Sequence, residues 1–188
     1  MKKRLLLLTF FCAVGPLLSA QKDFFSLPSI KMGQKEYQLK WSAKTKTGRY
    51  LEEFLQSNEP FPKFECKVIV ECSAEGSDVQ SEVNSMMALL GLKKEQNIVF
   101  SFEKLDESVS DELWIEYVQG NVQGGQPFTL EWNINRYRMV DDRVVLLRVS
   151  HRVYDKSQED FDKVIEKKRE EWISDAKEFD LSNIHLIK

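Results

Sequence analysis

Between Phe128 and Tyr154 the chain reads FTLEWNINRYRMVDDRVVLLRVSHRVY, two long runs of strand-forming residues hinged on Asp141-Asp142. β-Branched and aromatic side chains crowd both runs, and two short acidic residues between them suit the central positions of a tight turn. No other stretch restricts the fold so strongly. A two-stranded ribbon is marginal alone in water, so a hairpin this long must belong to a larger sheet.

With Asp141-Asp142 as the turn, the antiparallel register can be tested against side-chain chemistry. Leu130 meets Val153, Trp132 meets His151 and Ile134 meets Val149, which makes one face mostly apolar. On the other face Glu131 meets Arg152, Asn133 meets Ser150 and Asn135 meets Arg148, a polar ladder with an opposite-charge pair. Nearer the turn that face becomes apolar, with Tyr137 opposite Leu146 and Met139 opposite Val144, so a helix or the N-terminal segment is expected to cover it. Ser150 and His151 point to opposite faces of their strand and cannot act together as nucleophile and base. His151 beside Trp132 reads as a core or rim residue.

The chain starts with Lys2, Lys3 and Arg4 ahead of an apolar run from Leu5 to Leu18 that ends in Ser19-Ala20. This is the pattern of a secretory signal peptide, with cleavage expected after Ala20 and a periplasmic or secreted destination. The run is shorter than the roughly 20 apolar residues of a spanning helix, and Phe10-Phe11 before Cys12 does not suit a lipid-anchored signal. Removing residues 1–20 takes away three basic and no acidic residues, leaving 24 basic against 30 acidic and a net charge of −6. An acidic chain without a basic-aromatic stripe argues against a nucleic-acid partner.

Residues 21–36 carry Ser, Pro and Gly among scattered aromatics and are expected to be a leader whose Phe24, Phe25 and Leu27 tuck onto a single domain spanning 37–188. From Tyr37 to Trp41 apolar and polar residues alternate as in a half-buried strand. Residues 49–56 also have apolar pairs at helical spacing, but the flanking Gly48 and Pro60 favour a strand. Strands are expected again at Phe64–Cys72, Asn97–Glu103 and Glu112–Val118. Ser77 and Gln80 form a capping box for a helix with the stripe Val79, Val83, Met86, Met87 and Leu90, ended by Gly91. The methionines read as core filler. Ser157 and Asp160 open a second, longer helix with the stripe Phe161, Val164, Ile165, Trp172, Ile173, Ala176 and Phe179, and Leu181–Ile187 adds a short extended tail.

Chemistry-bearing patterns are sparse. Cys66 and Cys72 share one face of one strand, about 20 Å apart by strand rise, too far for a disulfide. They read as two buried thiols. His151 and His185 give no metal-ligand spacing, and no cofactor is implied. Gly120, Gly124 and Gly125 mark a hairpin loop without the Lys-Ser/Thr of a phosphate-binding loop. Glu116 and Glu131 would be an acid-base pair only if their strands brought them face to face.

The order of strands and helices, with the WNINRY strand, the charged turn and the amphipathic C-terminal helix, resembles the PsbP-like fold over roughly residues 36–180. That resemblance implies a non-enzymatic accessory or binding module and transfers no functional residue. The expectation is thus an α+β domain with an antiparallel sheet of six or seven strands and two main helices packed on it. Its function is expected to be binding of a protein or cell-envelope component through the polar ladder (Asn133, Asn135, Arg148, Arg152) and the Gly124-Gly125 loop. The competing expectation is a small exported hydrolase or ligand-binding protein with a sheet-helix pocket using carboxylates, Arg136 or Arg138.

Overall fold

The computed structural model describes residues 22–60, 63–105, 112–123 and 126–187. Its centre is an eight-stranded antiparallel sheet curled into a half-barrel. The strands are β1 (Ser29–Met32), β2 (Lys35–Lys44), β3 (Tyr50–Leu55), β4 (Cys66–Cys72), β5 (Val99–Leu105), β6 (Glu112–Gln123), β7 (Gln126–Val140) and β8 (Arg143–Tyr154). Helix α1 (Val79–Glu95) joins β4 to β5, and α2 (Gln158–Glu178) follows β8. The strands lie in the order β1-β2-β3-β4-β8-β7-β6-β5. The β7–β8 hairpin therefore occupies the middle of the sheet, flanked by β4 and β6.

The hairpin register is the one its chemistry demands, with Leu130 opposite Val153, Trp132 opposite His151 and Asn135 opposite Arg148. Asp141 takes a left-handed φ of 55° at the turn, a conformation that Asp tolerates better than most residues. Strand alternation then splits the core in two. On one face Trp114, Trp132, Ile134, Leu147 and Val149 pack with Phe161, Ile173 and Ala176 of α2. On the other, Ile115, Tyr117, Tyr137, Val144 and Leu146 pack with Val83 and Leu90 of α1. The two helices thus cover opposite faces, and α1 is the cover over the apolar turn end of the hairpin.

Eight strands replace the expected six or seven because the leader contributes one. Ser29–Met32 is too short for a visible alternation, yet Ile30 and Met32 are buried and the strand pairs with β2. Gly33, at φ 54°, makes the tight connection between them. The sheet accordingly begins before residue 37, and Phe24 and Phe25 join the α2-side core as expected. Residues 49–56 are strand, not helix: β3 runs from Tyr50 to Leu55.

Two ends of α1 differ from expectation. Its N-cap is Asp78, not Ser77, with Ser81 N–H donating to Asp78 Oδ1 at 2.9 Å. The helix runs through Gly91, around which a side chain would meet open space. It ends at Glu95 with Gln96 as C-cap, and Asn97 just beyond takes a φ of 57° as its N–H and that of Ile98 close back on the Lys94 and Lys93 carbonyls. Asn here takes the left-handed role usually given to Gly. Helix α2 begins as expected, Asp160 N–H donating to Ser157 Oγ at 3.1 Å. After it, Leu181–Asn183 forms a 3-10 turn rather than extended chain, and Ile187 N–H reaches back to the Phe24 carbonyl at 2.8 Å.

Candidate functional site

The polar ladder of the hairpin is an interior seam, not an outward surface. Asn133 and Asn135 are fully buried, and Glu131 and Ser150 nearly so. Ser150 Oγ donates to Asn133 Oδ1 at 2.6 Å, Arg148 Nε to Asn135 Oδ1 at 3.0 Å, and Asn135 Nδ2 to the Tyr137 hydroxyl at 2.9 Å. Arg152 Nε donates to Glu131 Oε2 at 2.6 Å, and Gln119 adds a further bond to Glu131. Helix α1 and the curl of the sheet close this face, so a partner would find Arg148 and Arg152 only half-exposed and already bonded. Asn133 and Asn135, expected on a binding surface, are instead enclosed and bonded across the hairpin, and Arg148 and Arg152 are half-exposed with their Nε groups held by Asn135 and Glu131. Gly124 and Gly125 lie outside the described residues.

The other sequence candidates also resolve into structural roles. Glu116 and Glu131 do not meet: Glu116 pairs with Ile134 and Glu131 with Gln119, and alternation sends the two carboxylates to opposite faces. Glu116 instead accepts from the Trp132 indole N–H and binds Arg169 of α2, with Nε at 2.8 Å from Oε1. Arg136 is buried against Glu112, Nη2 to Oε1 at 2.8 Å. It also donates to the carbonyls of Ala176 and Phe179 at the end of α2. Arg136 is therefore a buried cap on α2, where cationic side chains suit the free carbonyls. Cys66 and Cys72 are free and buried.

What the structure brings together is a groove between α2 and the sheet. His151, at the end of β8, stacks on Trp172 of α2 with ring centroids 3.8 Å apart and planes 7° from parallel. Trp132 lies behind them, 5.8 Å from His151 and 5.3 Å from Trp172. Two cavities meet at this stack. The first, of about 430 Å³, runs along the β1–β2 turn and is lined by Lys35, Tyr37, Glu171 and Asp175. The second, of about 520 Å³, runs toward the start of α2 between Val153, Tyr154, Phe161 and Val164. His151, Trp172, Lys35 and Glu171 line both.

Beneath the stack, Tyr37 donates its hydroxyl to Cys66 Sγ at 3.2 Å, and His151 Nε2 lies 3.8 Å from the same sulfur. This has the membership of a cysteine-histidine catalytic pair but not its electrostatics. Burial pushes the Cys66 thiol up to about 12, and burial, helped by Lys35, pulls His151 down to about 3. Both groups are neutral near pH 7, and a neutral thiol is a poor nucleophile. Among the described residues no group of three or more His, Cys, Asp or Glu is placed to hold a metal ion.

The sequence pointed to His151, Trp132 and, in the competing expectation, a sheet-helix pocket, but not to the residues that line this groove. Lys35, Cys66, His151 and Trp172 come from β2, β4, β8 and α2, and no local spacing links them. Trp172 was the available signal, a large aromatic in a helical stripe, which reads equally as core.

Fold and groove together define an α+β protein with a sheet-helix cleft of small-ligand size. The chain belongs to an uncharacterised family, whose model matches residues 25–181. No curated protein and no solved structure matches it. No helix among the described residues is long and apolar enough to cross a membrane.

Proposed function

We propose that the protein is an exported, non-catalytic binding module that takes its ligand in the groove between α2 and the sheet. One observation carries this reading: two cavities share the stacked His151–Trp172 wall, and the groups best suited to chemistry there, Cys66 and His151, are both held neutral. Apolar walls with a few convergent polar groups are the usual make-up of a small-ligand site. Export rests on the basic-apolar start ending at Ala20, and the PsbP-like resemblance implies the same non-enzymatic class. Binding through the hairpin ladder is set aside because Asn133 and Asn135 are sealed in the interior.

Catalysis and binding separate in one pair of assays. A 4-nitrophenyl ester should be hydrolysed no faster by the wild type than by His151→Gln, while amphiphilic small molecules should raise the melting temperature of the wild type. Ester turnover that depends on His151, or on Cys66, would replace the binding reading with the hydrolase.

A further inference from the structure

The second cavity combines apolar walls with unneutralised positive charge at its rim. Phe161, Val164 and Trp172 of α2 face Val153 and Tyr154 at the end of β8, and Lys35, Lys156 and Lys168 stand around them with Arg152. Two of these cations are already occupied. Lys168 pairs with Glu171 at 2.7 Å, and Arg152 pairs with Glu131 while lying over the Phe64 ring. Lys35 and Lys156 have no carboxylate within ion-pair distance among the described residues. The one acid lining this cavity without a cationic partner is Glu65, so its own lining keeps a surplus of one positive charge; Asp175, which lines the adjoining cavity with Lys35, offsets part of the Lys35 charge and leaves Lys156 the less compensated of the two. His151 is neutral near pH 7 and adds nothing to the surplus.

We propose that this cavity binds an amphipathic monoanion, an apolar chain or ring carrying a single carboxylate or sulfonate. The apolar body lies between Phe161, Val164 and Val153, and the anionic head sits against Lys35 or Lys156. A dianion such as a phosphate monoester is a poorer fit, because Glu65 leaves only one net charge to meet it. An amphipathic cation is disfavoured by both lysines. The assignment rests on the groove being the ligand site and adds the chemical class that enters it.

The test uses the purified protein and a fluorescent probe, 8-anilinonaphthalene-1-sulfonate, displaced by decanoate or by decyltrimethylammonium. Decanoate should displace the probe and the cation of equal chain length should not. Lys35→Gln with Lys156→Gln should weaken decanoate binding by roughly three- to tenfold, the scale of partly exposed charge contacts. Both lysines are exposed, and an unchanged far-UV circular dichroism spectrum checks that these variants fold. Val164→Trp, at a helix position 37% exposed, fills the cavity mouth and should abolish probe binding with an unchanged far-UV circular dichroism spectrum. Equal displacement by the cation, or lysine variants that bind decanoate as the wild type does, would overturn the monoanion assignment even where Val164→Trp still blocks. Wild-type probe binding by a folded Val164→Trp would overturn the groove itself.

Discussion

Burial on β3, helped by nearby Asp23, pushes the Glu52 carboxyl up to about 7 against the opposing hydrogen bond that one oxygen accepts from Phe24 N–H at 2.5 Å, while the other oxygen has no hydrogen-bond partner. Its folded pKa lies above the usual 4.5, so its stabilising contribution is complete below pH 4.5 and is lost as pH rises through 7. His151 runs the other way. Its folded pKa of about 3 lies below 6.5, so its contribution is complete above pH 6.5 and is lost as pH falls toward 3. Between pH 4.5 and 6.5 the two slopes oppose each other, which predicts a broad maximum there. Denaturant titrations should show Glu52→Gln removing the loss on the alkaline side, with a gain on the order of 3 kcal/mol at pH 8. His151→Phe, which keeps a ring against Trp172, should remove the loss on the acid side. A variant that leaves its own limb of the profile unchanged would show that the residue is not the titrating group. Cys66, enclosed beneath Tyr37, should resist iodoacetamide at pH 8 until the protein is unfolded, as followed by intact mass.

Helix α2 is held at three places, and each gives a separable prediction at the level of the element. Ser157 caps its start, and Ser157→Ala should cost about 1 kcal/mol. Arg169 ties its middle to Glu116, and Arg136 caps its end. Arg136→Met removes the bidentate partner of buried Glu112, leaving it only the Trp114 indole N–H at 3.1 Å and Arg138 at 3.7 Å, and should cost roughly 3 kcal/mol, whereas Arg136→Met with Glu112→Leu should recover part of that loss. The β1–β2 turn rests on the same helix. A Cβ at Gly33 would come within 2.6 Å of Asp175 Oδ1, at a φ of 54°, so Gly33→Ala should lower the melting temperature and loosen the turn beside the first cavity. These elements were legible to different degrees. The β7–β8 hairpin declared its register because each facing pair is chemically matched, and Ser157 declared the start of α2 because capping is local. Strand β1 was hidden, since four residues show no period and Ile30 and Met32 reveal their role only by packing. Asn133 and Asn135 misled for a related reason: a polar ladder looks the same in sequence whether water or Ser150 and Arg148 satisfy it.

At the scale of the whole molecule, the sheet serves two purposes that its alternation keeps apart. The α1 side, with its buried Asn, Ser and Arg bonds, locks the central strands in register. Buried polar networks that are fully bonded specify a unique arrangement in this way. The α2 side carries the large aromatics and leaves the groove where α2, the β1–β2 turn and the end of β8 fail to close completely. Buried polar bonds fix the strands on the α1 side and tie α2 down through Arg136 and Arg169 on the other, and the cation-rimmed cleft is the place proposed for a ligand. The molecule carries its own reporters for this division, because the four tryptophans sit in distinct places: Trp172 in the groove wall, Trp132 behind it, Trp114 beside Arg136 and Trp41 half-exposed on β2. With 5-fluorotryptophan incorporated, titration with decanoate should shift the ¹⁹F resonance of Trp172 saturably, move Trp132 less, and leave Trp41 and Trp114 in place. A saturable shift confined to Trp41 or Trp114, or no shift at Trp172 while the ligand binds, would contradict the placement of the binding site between α2 and the sheet.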